Sequence, residues 1–543
     1  MVLSLLPFLL PVLIYAQQPF VRLYEYGAYG FPYAYQQDGQ QFVSNVFLGL
    51  PYAKPAVGSL RLERPQALPI NAQKIVNNTD LPNGCLQQED ITAVNPSLPT
   101  SEDCLFLNII TPSTTSHIDT KYPVLVYIHG VDLWAEPSEV MAGNSLHYRL
   151  GFWGFFSLGT QIRQAGNYGL WDQTAALRFV HKHIRSFGGD PNKVTVYGCS
   201  AGSVSTHALS LSPHSNIYFQ QTIQASGSLY NPWTHSLKTI EQSKNISQQL
   251  GCYVPESVQQ TKDCLKKLNN SQIWNVLKQY GSQRNSTDVF LWTPIMDQHF
   301  FVDQNISQLT ERSPIRNTMY SSTKADGLIS IFLVRTLDQQ ASFSKADFYN
   351  YIFTYLGNQE VAGPNYAKIQ QLFLDYYTRG SNVSNLPSKF WYTRYVDAQT
   401  DGNFAGGQIV EMGYKLELNW TQHIYLFEYV HPSHRPLTGL DPDYTPHGYE
   451  NQYIMDTQPL IAYHKNETNS VEMEFTRKIV DAMALFVKTG NPSTAKVPWP
   501  AIDDPIQIKY LQVGEQVVYK NVHYTEIAKL WKNVYRLGYA QPI

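Results

Sequence analysis

The stretch VTVYGCSAGSVS, Val194 to Ser205, sets a tight condition on any chain that contains it. Val194, Thr195, Val196 and Tyr197 are strand formers, Gly198 and Gly202 bracket Ser200, and the small residues that follow suit the opening of a helix. A strand that becomes a helix over so few residues presses the backbone of the turn against its neighbours, so a Cβ at either glycine would clash. The turn raises the serine hydroxyl above the strand end, at the positive pole of the helix. Further strand-like runs, PVLVYIHG at 123–130 and HIYLFEYV at 423–430, alternate with helical stretches. Such alternation predicts an α/β chain with a large, mostly parallel central sheet flanked by helices.

The same pattern argues for one folding unit. No repeat with a period of roughly 20 to 50 residues and no Pro/Gly/Ser-rich linker divides the chain. The clearest helix is VEMEFTRKIVDAMALFVKTGNP, where Phe475, Ile479, Met483 and Phe486 recur at helical spacing before Gly490 and Pro492 stop it. That stripe reads as core packing. His181 and His183 lie in another helix-like segment, two positions apart and so on different faces, and read as a solvated helix end. No HExxH or CxxC pattern occurs, and no metal site is expected.

Composition bears on location and partners. The first sixteen residues, MVLSLLPFLLPVLIYA, are almost wholly apolar and give way to Gln17 and Gln18, which reads as a secretory signal peptide cleaved near Ala16. With Pro7 and Pro11 inside it, the run is shorter than the ~20 residues a spanning helix needs. The expected organisation is a signal peptide at 1–16 and a single domain at 17–543, secreted and without an integral membrane segment. Eight N-x-S/T sequons, at Asn77, Asn245, Asn269, Asn285, Asn305, Asn382, Asn419 and Asn466, suit an extracellular glycoprotein. A net charge of −3 with both signs dispersed gives no electrostatic footprint for nucleic acid. Of the five cysteines, Cys85, Cys104, Cys252 and Cys264 bound two short loops that local bridges could close, each adding on the order of 3 kcal/mol, while Cys199 is left over.

Gly198-Cys199-Ser200-Ala201-Gly202 is G-x-S-x-G in a strand-to-helix context, which makes Ser200 a candidate nucleophile. A serine hydroxyl attacks only when a base takes its proton, so a histidine is required, with a carboxylate to fix its tautomer. Beyond position 400, His447 stands out because TPHGYENQY sets it in a turn-rich loop. The acids between Ser200 and His447 are too many for spacing to choose among.

The chain resembles the type-B carboxylesterase and cholinesterase family of α/β-hydrolases. The likeness rests on FLGLPYAKP (47–55), SEDCLFLNI (101–109), YRLGFWGF (148–155), NYGLWDQTAAL (167–177), FGGDPNKVTVYGCSAG (187–202), QASGS (224–228), TPIMD (293–297), KADG (324–327), HGYE (447–450) and GNP (490–492). It implies a serine esterase working through an acyl-enzyme on small-molecule esters, without a cofactor. Ser200 is then the nucleophile, Asp326 of KADG the acid, where the family more often has Glu, and His447 of HGYE the base. The resemblance also implies the disulfides Cys85–Cys104 and Cys252–Cys264, and the buried ion pairs Arg61 with Glu102 and Arg149 with Asp172. Phe290 and Trp292, just before TPIMD, are candidates for the acyl pocket or for ordinary core. The family's usual Glu before the nucleophile is Cys199 here, read as a small buried hydrophobe. No Trp lies between Cys85 and Cys104 to face a quaternary ammonium, which disfavours choline esters.

Two departures motivate a second reading. The oxyanion hole is expected from the Ala201 N–H together with a glycine-rich loop, but that loop reads IHGVDLW, so Gly130 remains while Val131 and Asp132 replace two glycines. Losing one donor costs ~100- to 1,000-fold in rate. An ionised carboxylate about 4 Å from the oxyanion opposes it by up to ~4 kcal/mol at an effective dielectric near 20. In addition, only EVMAGNSLH precedes YRLG, where the family has a longer loop and a run of β-branched residues, so much of one strand is expected to be absent. The alternative is therefore a catalytically impaired, non-enzymatic binding or adhesion-type member of the same fold.

Overall fold

The computed structural model describes residues 18–37, 40–71, 73–87, 99–113, 121–130, 146–161, 166–280, 290–303, 305–329, 341–379, 381–432, 444–455 and 470–539. Near the N-terminus, β1 (Phe31–Gln37), β2 (Gln40–Pro51) and β3 (Phe106–Pro112) form a small antiparallel sheet in that order. The central sheet contains β4 (Tyr122–Ile128), β5 (Gly189–Cys199), β6 (Gln221–Ala225), β7 (Asn317–Thr323), β8 (Gln422–Phe427), β9 (Tyr510–Val513) and β10 (Val517–Lys520). These seven strands lie in the order β10-β9-β8-β7-β6-β5-β4, all pairs parallel except β9 with β10. Every residue of β6 and β8 is buried. Parallel strands covered on both faces need such continuous apolar or internally bonded runs.

Helices cover the two faces. The helices α1 (Tyr168–His183), α2 (Ala201–Leu211) and α3 (Gly406–Glu417) are joined by α4 (Ser470–Thr489) and α5 (His523–Arg536). The stripe Phe475, Ile479, Met483 and Phe486 of α4 is buried against the sheet, as its spacing predicts. All eleven residues of α2 are buried; most are Ala, Ser, Gly, Val and Leu, and the one ionisable side chain, His207, meets Glu411 Oε2 at 2.9 Å. The fold is that of an α/β-hydrolase.

His183 departs from the sequence reading. The helix α1 ends there as expected, but His183 is buried and its Nε2 lies 2.9 Å from Glu25 Oε2, while His181 is exposed. Glu25, far away in sequence, caps this corner, a partner no local pattern announces.

The two disulfides form as the resemblance implies, Cys85 with Cys104 and Cys252 with Cys264, and Cys199 is free and buried. Arg61 grips Glu102 through Nε and a terminal nitrogen, both at 2.6 Å, and donates to the Leu265 carbonyl at 3.1 Å, so it ties the first bridged loop to the second. Arg149 holds Asp172 through two bonds of 2.7 Å and a backbone bond of 3.1 Å, with both side chains buried. Removing one member leaves the other charge buried and alone. Asp172→Ala is expected to lower unfolding free energy by about 3–5 kcal/mol, while the double variant Arg149→Met/Asp172→Leu loses far less. Urea unfolding of the two variants checks this, and equal losses would contradict it.

Candidate active site

Ser200 sits between the last residue of β5, Cys199, and the first of α2, Ala201, at φ 58° and ψ −124°. This conformation is costly for a residue with a Cβ, on the order of 1–3 kcal/mol, and persists only where the surroundings fix it. Several contacts fix it. Ser200 N–H donates to the Ala225 carbonyl at 2.8 Å, and its own carbonyl accepts from Val204 N–H at 3.0 Å. Ser203 Oγ donates to the Gly227 carbonyl at 2.6 Å. A Cβ on Gly198 would stand 2.0 Å from the Gly202 carbonyl oxygen, and one on Gly202 would stand 2.2 Å from the Ile128 oxygen. Both bracketing glycines are therefore required by the turn.

The acid and the imidazole arrive from the carboxyl ends of other strands. Asp326 follows β7, and His447 belongs to the long connection after β8. Ala325 and Pro446 form a parallel bridge, and Ala325 N–H donates to the Thr445 carbonyl at 3.0 Å, so backbone pairing sets the two loops side by side. Within this frame His447 Nδ1 lies 2.8 Å from Asp326 Oδ1, and Asp326 Oδ2 accepts from Thr323 N–H at 3.0 Å. Asp326 is wholly buried and His447 nearly so. Nδ1 faces the carboxylate, and Nε2 is buried without a hydrogen-bond partner. The Ser200 hydroxyl does not bond to it in this state. Hydrogen bonds between nucleophile and base are often loose without substrate and tighten in the complex.

The histidine loop leans on the elbow. A Cβ on Gly448 would lie 4.0 Å from Cys199 Sγ, and Tyr197 Oη donates to Asn451 Oδ1 at 2.7 Å. Burial and the nearby Glu450 push the Cys199 thiol well above its usual value, against a weaker pull from the Asn451 amide. It is held as the neutral thiol, consistent with a space-filling role.

Gly130 follows β4 and packs directly on the turn, for a Cβ there would stand 2.2 Å from the Cys199 carbonyl oxygen and 2.9 Å from Ser200 Cβ. Ala201, the first residue of α2, has an N–H with no acceptor inside the helix. Both backbones thus border Ser200. Val131 and Asp132 lie outside the described residues, as do 1–16 of the predicted signal peptide.

An aromatic file leads up to the imidazole. Phe404 lies 4.7 Å from His447 between ring centroids, Trp233 lies 5.9 Å from Phe404, and Phe290 lies 5.6 Å from Trp233. Trp292 instead packs edge-on against Phe152 at 5.6 Å, inside the core. Of the two aromatics singled out before TPIMD, Phe290 joins the file at the site and Trp292 does not. Trp233 and Phe404 escaped the sequence reading. Glu450, in the HGYE run itself, is also buried beside the site, accepting from Ser321 Oγ at 3.4 Å.

The sequence model of the carboxylesterase family matches residues 31–531, and the chain belongs to that family. It is 30% identical to gut esterase 1 of Caenorhabditis briggsae over 523 residues, covering 90% of each chain. It is 28% identical to carboxylesterase 5A of Felis catus over 510 residues, 87% of each. Acetylcholinesterase 1 of Caenorhabditis briggsae is 26% identical over 490 residues, 82% of this chain and 76% of the relative.

Burial and the Asp326 charge push the Glu450 carboxyl up to about 8. Because this folded-state value exceeds the unfolded one, the group favours folding in acid, and that contribution is lost as pH rises toward 8. Glu450→Gln removes the dependence, so the variant's stability relative to the parent rises between about pH 5 and about pH 8, by at most ~1.4 kcal/mol per unit. Urea midpoints at the two pH values check this, and parallel profiles would contradict it.

Proposed function

We propose that this chain is a secreted serine esterase that cleaves carboxylic esters through an acyl-enzyme. Ser200 Oγ attacks the ester carbonyl carbon as His447 Nε2 takes the hydroxyl proton, and Asp326 steadies the imidazolium through Nδ1–H. The oxyanion forms beside the Ala201 and Gly130 backbone. His447 then delivers its proton to the departing alcohol oxygen, leaving the acyl group on Ser200. Water, activated by the same nitrogen, attacks the acyl carbon and releases the acid, restoring the hydroxyl. The observation that carries the reading is the 2.8 Å approach of His447 Nδ1 to Asp326 Oδ1, together with Ser200 held in a strained strand-to-helix turn at the end of β5. The apolar file of Phe404, Trp233 and Phe290 suits the carbon-rich side of an ester.

Secretion rests on the apolar leader at 1–16, the two disulfides and the sequons. The six sequon asparagines among the described residues, Asn77, Asn245, Asn269, Asn305, Asn382 and Asn419, are all exposed, as glycan attachment requires. Among those residues no helix is long and apolar enough to cross a membrane.

The second reading, a binding member of the family that has lost catalysis, is favoured by Val131 and Asp132 at two glycine positions of the oxyanion loop. A fluorophosphonate probe decides between the two. The esterase reading expects covalent labelling of the parent, none of Ser200→Ala, and about 10⁴-fold slower ester turnover in Asp326→Asn, whose imidazole is held in the wrong tautomer. A folded parent that takes no label would leave the binding reading standing.

A further inference from the structure

The candidate active site uses the carboxyl ends of the parallel strands. At the amino ends, on the far side of the sheet, Asn317 opens β7 and Thr421 immediately precedes β8, with Thr318 N–H donating to the Thr421 carbonyl at 2.9 Å. Together with 489–491 at the end of α4, and with Ser493 and 499–501, they enclose a cavity of about 320 Å³. That volume lies at the small end of the range for ligand sites. The fold fixes its walls. Ile502 N–H donates to the Gln422 carbonyl at 2.8 Å, Trp499 Nε1–H donates to the Ile424 carbonyl at 3.2 Å, and a Cβ on Gly490 would stand 2.0 Å from Asn317 Nδ2.

The lining defines what the cavity accepts. His423 and Trp499, both buried, make the inner wall and meet edge to face at 6.1 Å between ring centroids. Burial pushes the His423 imidazole down to about 4, against the Pro500 and Trp499 carbonyls, so it is neutral near pH 7, and no other ionisable side chain lines the cavity. The rim is made by Asn317, Thr421, Asn491 and Ser493. Asn491 Oδ1 accepts from Ser493 N–H at 2.9 Å and Ser493 Oγ accepts from Trp499 N–H at 3.0 Å, which leaves the Asn491 amide hydrogens and the Ser493 hydroxyl hydrogen to donate. An aromatic wall below uncharged amides and hydroxyls matches a pyranose ring, whose C–H face is apolar and whose edge carries hydroxyls. It offers an ionic ligand no counter-charge.

A sugar of the chain's own lies within reach. Thr421 on the rim is also the third residue of the sequon Asn419-Trp420-Thr421. Asn419 is exposed at φ 62° in the turn that closes α3, where its N–H donates to the Leu416 carbonyl at 3.0 Å. Asparagine tolerates this left-handed position at a helix end. Two residues span at most about 7 Å, so a glycan on Asn419 starts beside the rim. We propose that the innermost N-acetylglucosamine of an N-glycan on Asn419 occupies this cavity, its ring face toward His423 and Trp499 and its hydroxyl and acetamido groups on the rim amides and hydroxyls. The inference rests on the secretory reading, since the sequon is modified only in a chain that enters that route. Seated there, the sugar ties the turn after α3 to the end of α4.

The test uses the full chain secreted from a host that adds only high-mannose glycans. The native protein is digested with an endoglycosidase that cuts between the two innermost N-acetylglucosamines, and mass analysis of the glycopeptides follows each site. Asn419 is expected to be occupied and to lose its glycan at least about tenfold more slowly than the exposed sites Asn77, Asn245 and Asn382, a difference that vanishes once the protein is denatured. Asn491→Trp, which fills the cavity from an exposed rim position, is expected to leave Asn419 occupied and to raise its cleavage to the rate of the other sites. The proposal is overturned if the native parent releases the Asn419 glycan as fast as the rest, if Asn491→Trp leaves it slow, or if Asn419 is bare while other sequons are occupied. A chain with no glycan at any sequon overturns the secretory reading, and the proposal with it.

Discussion

The backbone at Ser200 is the constraint from which the active region is built. A serine at φ 58° and ψ −124° is held against its own preference, and the means of holding it determine much of the surrounding sequence. The Ala225 carbonyl at the end of β6 takes its N–H, Gly198 and Gly202 leave room for the tight turn, and Gly130, just after β4, packs directly on it. Strain of this kind persists only because the surrounding contacts over-determine the turn. Ser203, one turn into α2, anchors the helix to the Gly227 carbonyl.

Convergence of the other two side chains follows from sheet topology. In a parallel sheet all the strand ends point the same way, so loops after β5, β7 and β8 gather in one place. The remaining adjustment is made by backbone, through the Ala325–Pro446 bridge, and not by the side chains alone. This explains how Asp, shorter by one carbon than Glu, reaches the imidazole: the bridge brings the two loops close enough for a 2.8 Å bond. Behind the histidine, Cys199 and Glu450 are both driven toward their neutral forms by burial. Cys199, as a buried neutral thiol, adds no further charge near Asp326 and Glu450.

Much of this was legible in the sequence because it is local. The strand-to-helix turn, the α4 stripe and the two small disulfide loops are written in short patterns whose physics is complete within a few residues. Asp326 was not legible from spacing, since any acid between Ser200 and His447 satisfies chain order, and it came from resemblance alone. Trp233 and Phe404 carry no pattern at all; Phe404, just before α3, meets His447, and Trp233, in the segment after β6, packs on Phe404, contacts that exist only once distant segments come together in space. His183 was misread for the same reason, its partner Glu25 lying across the fold.

The central claim is that Ser200 is made nucleophilic by His447 and becomes acylated. The most direct measurement is rapid mixing with p-nitrophenyl acetate followed by mass analysis of the quenched protein. The account predicts a burst of nitrophenol approaching one equivalent, with the acetyl group on the peptide bearing Ser200 and no burst from His447→Ala. A folded parent that gives no burst, or that carries the acetyl group on another residue, would contradict it.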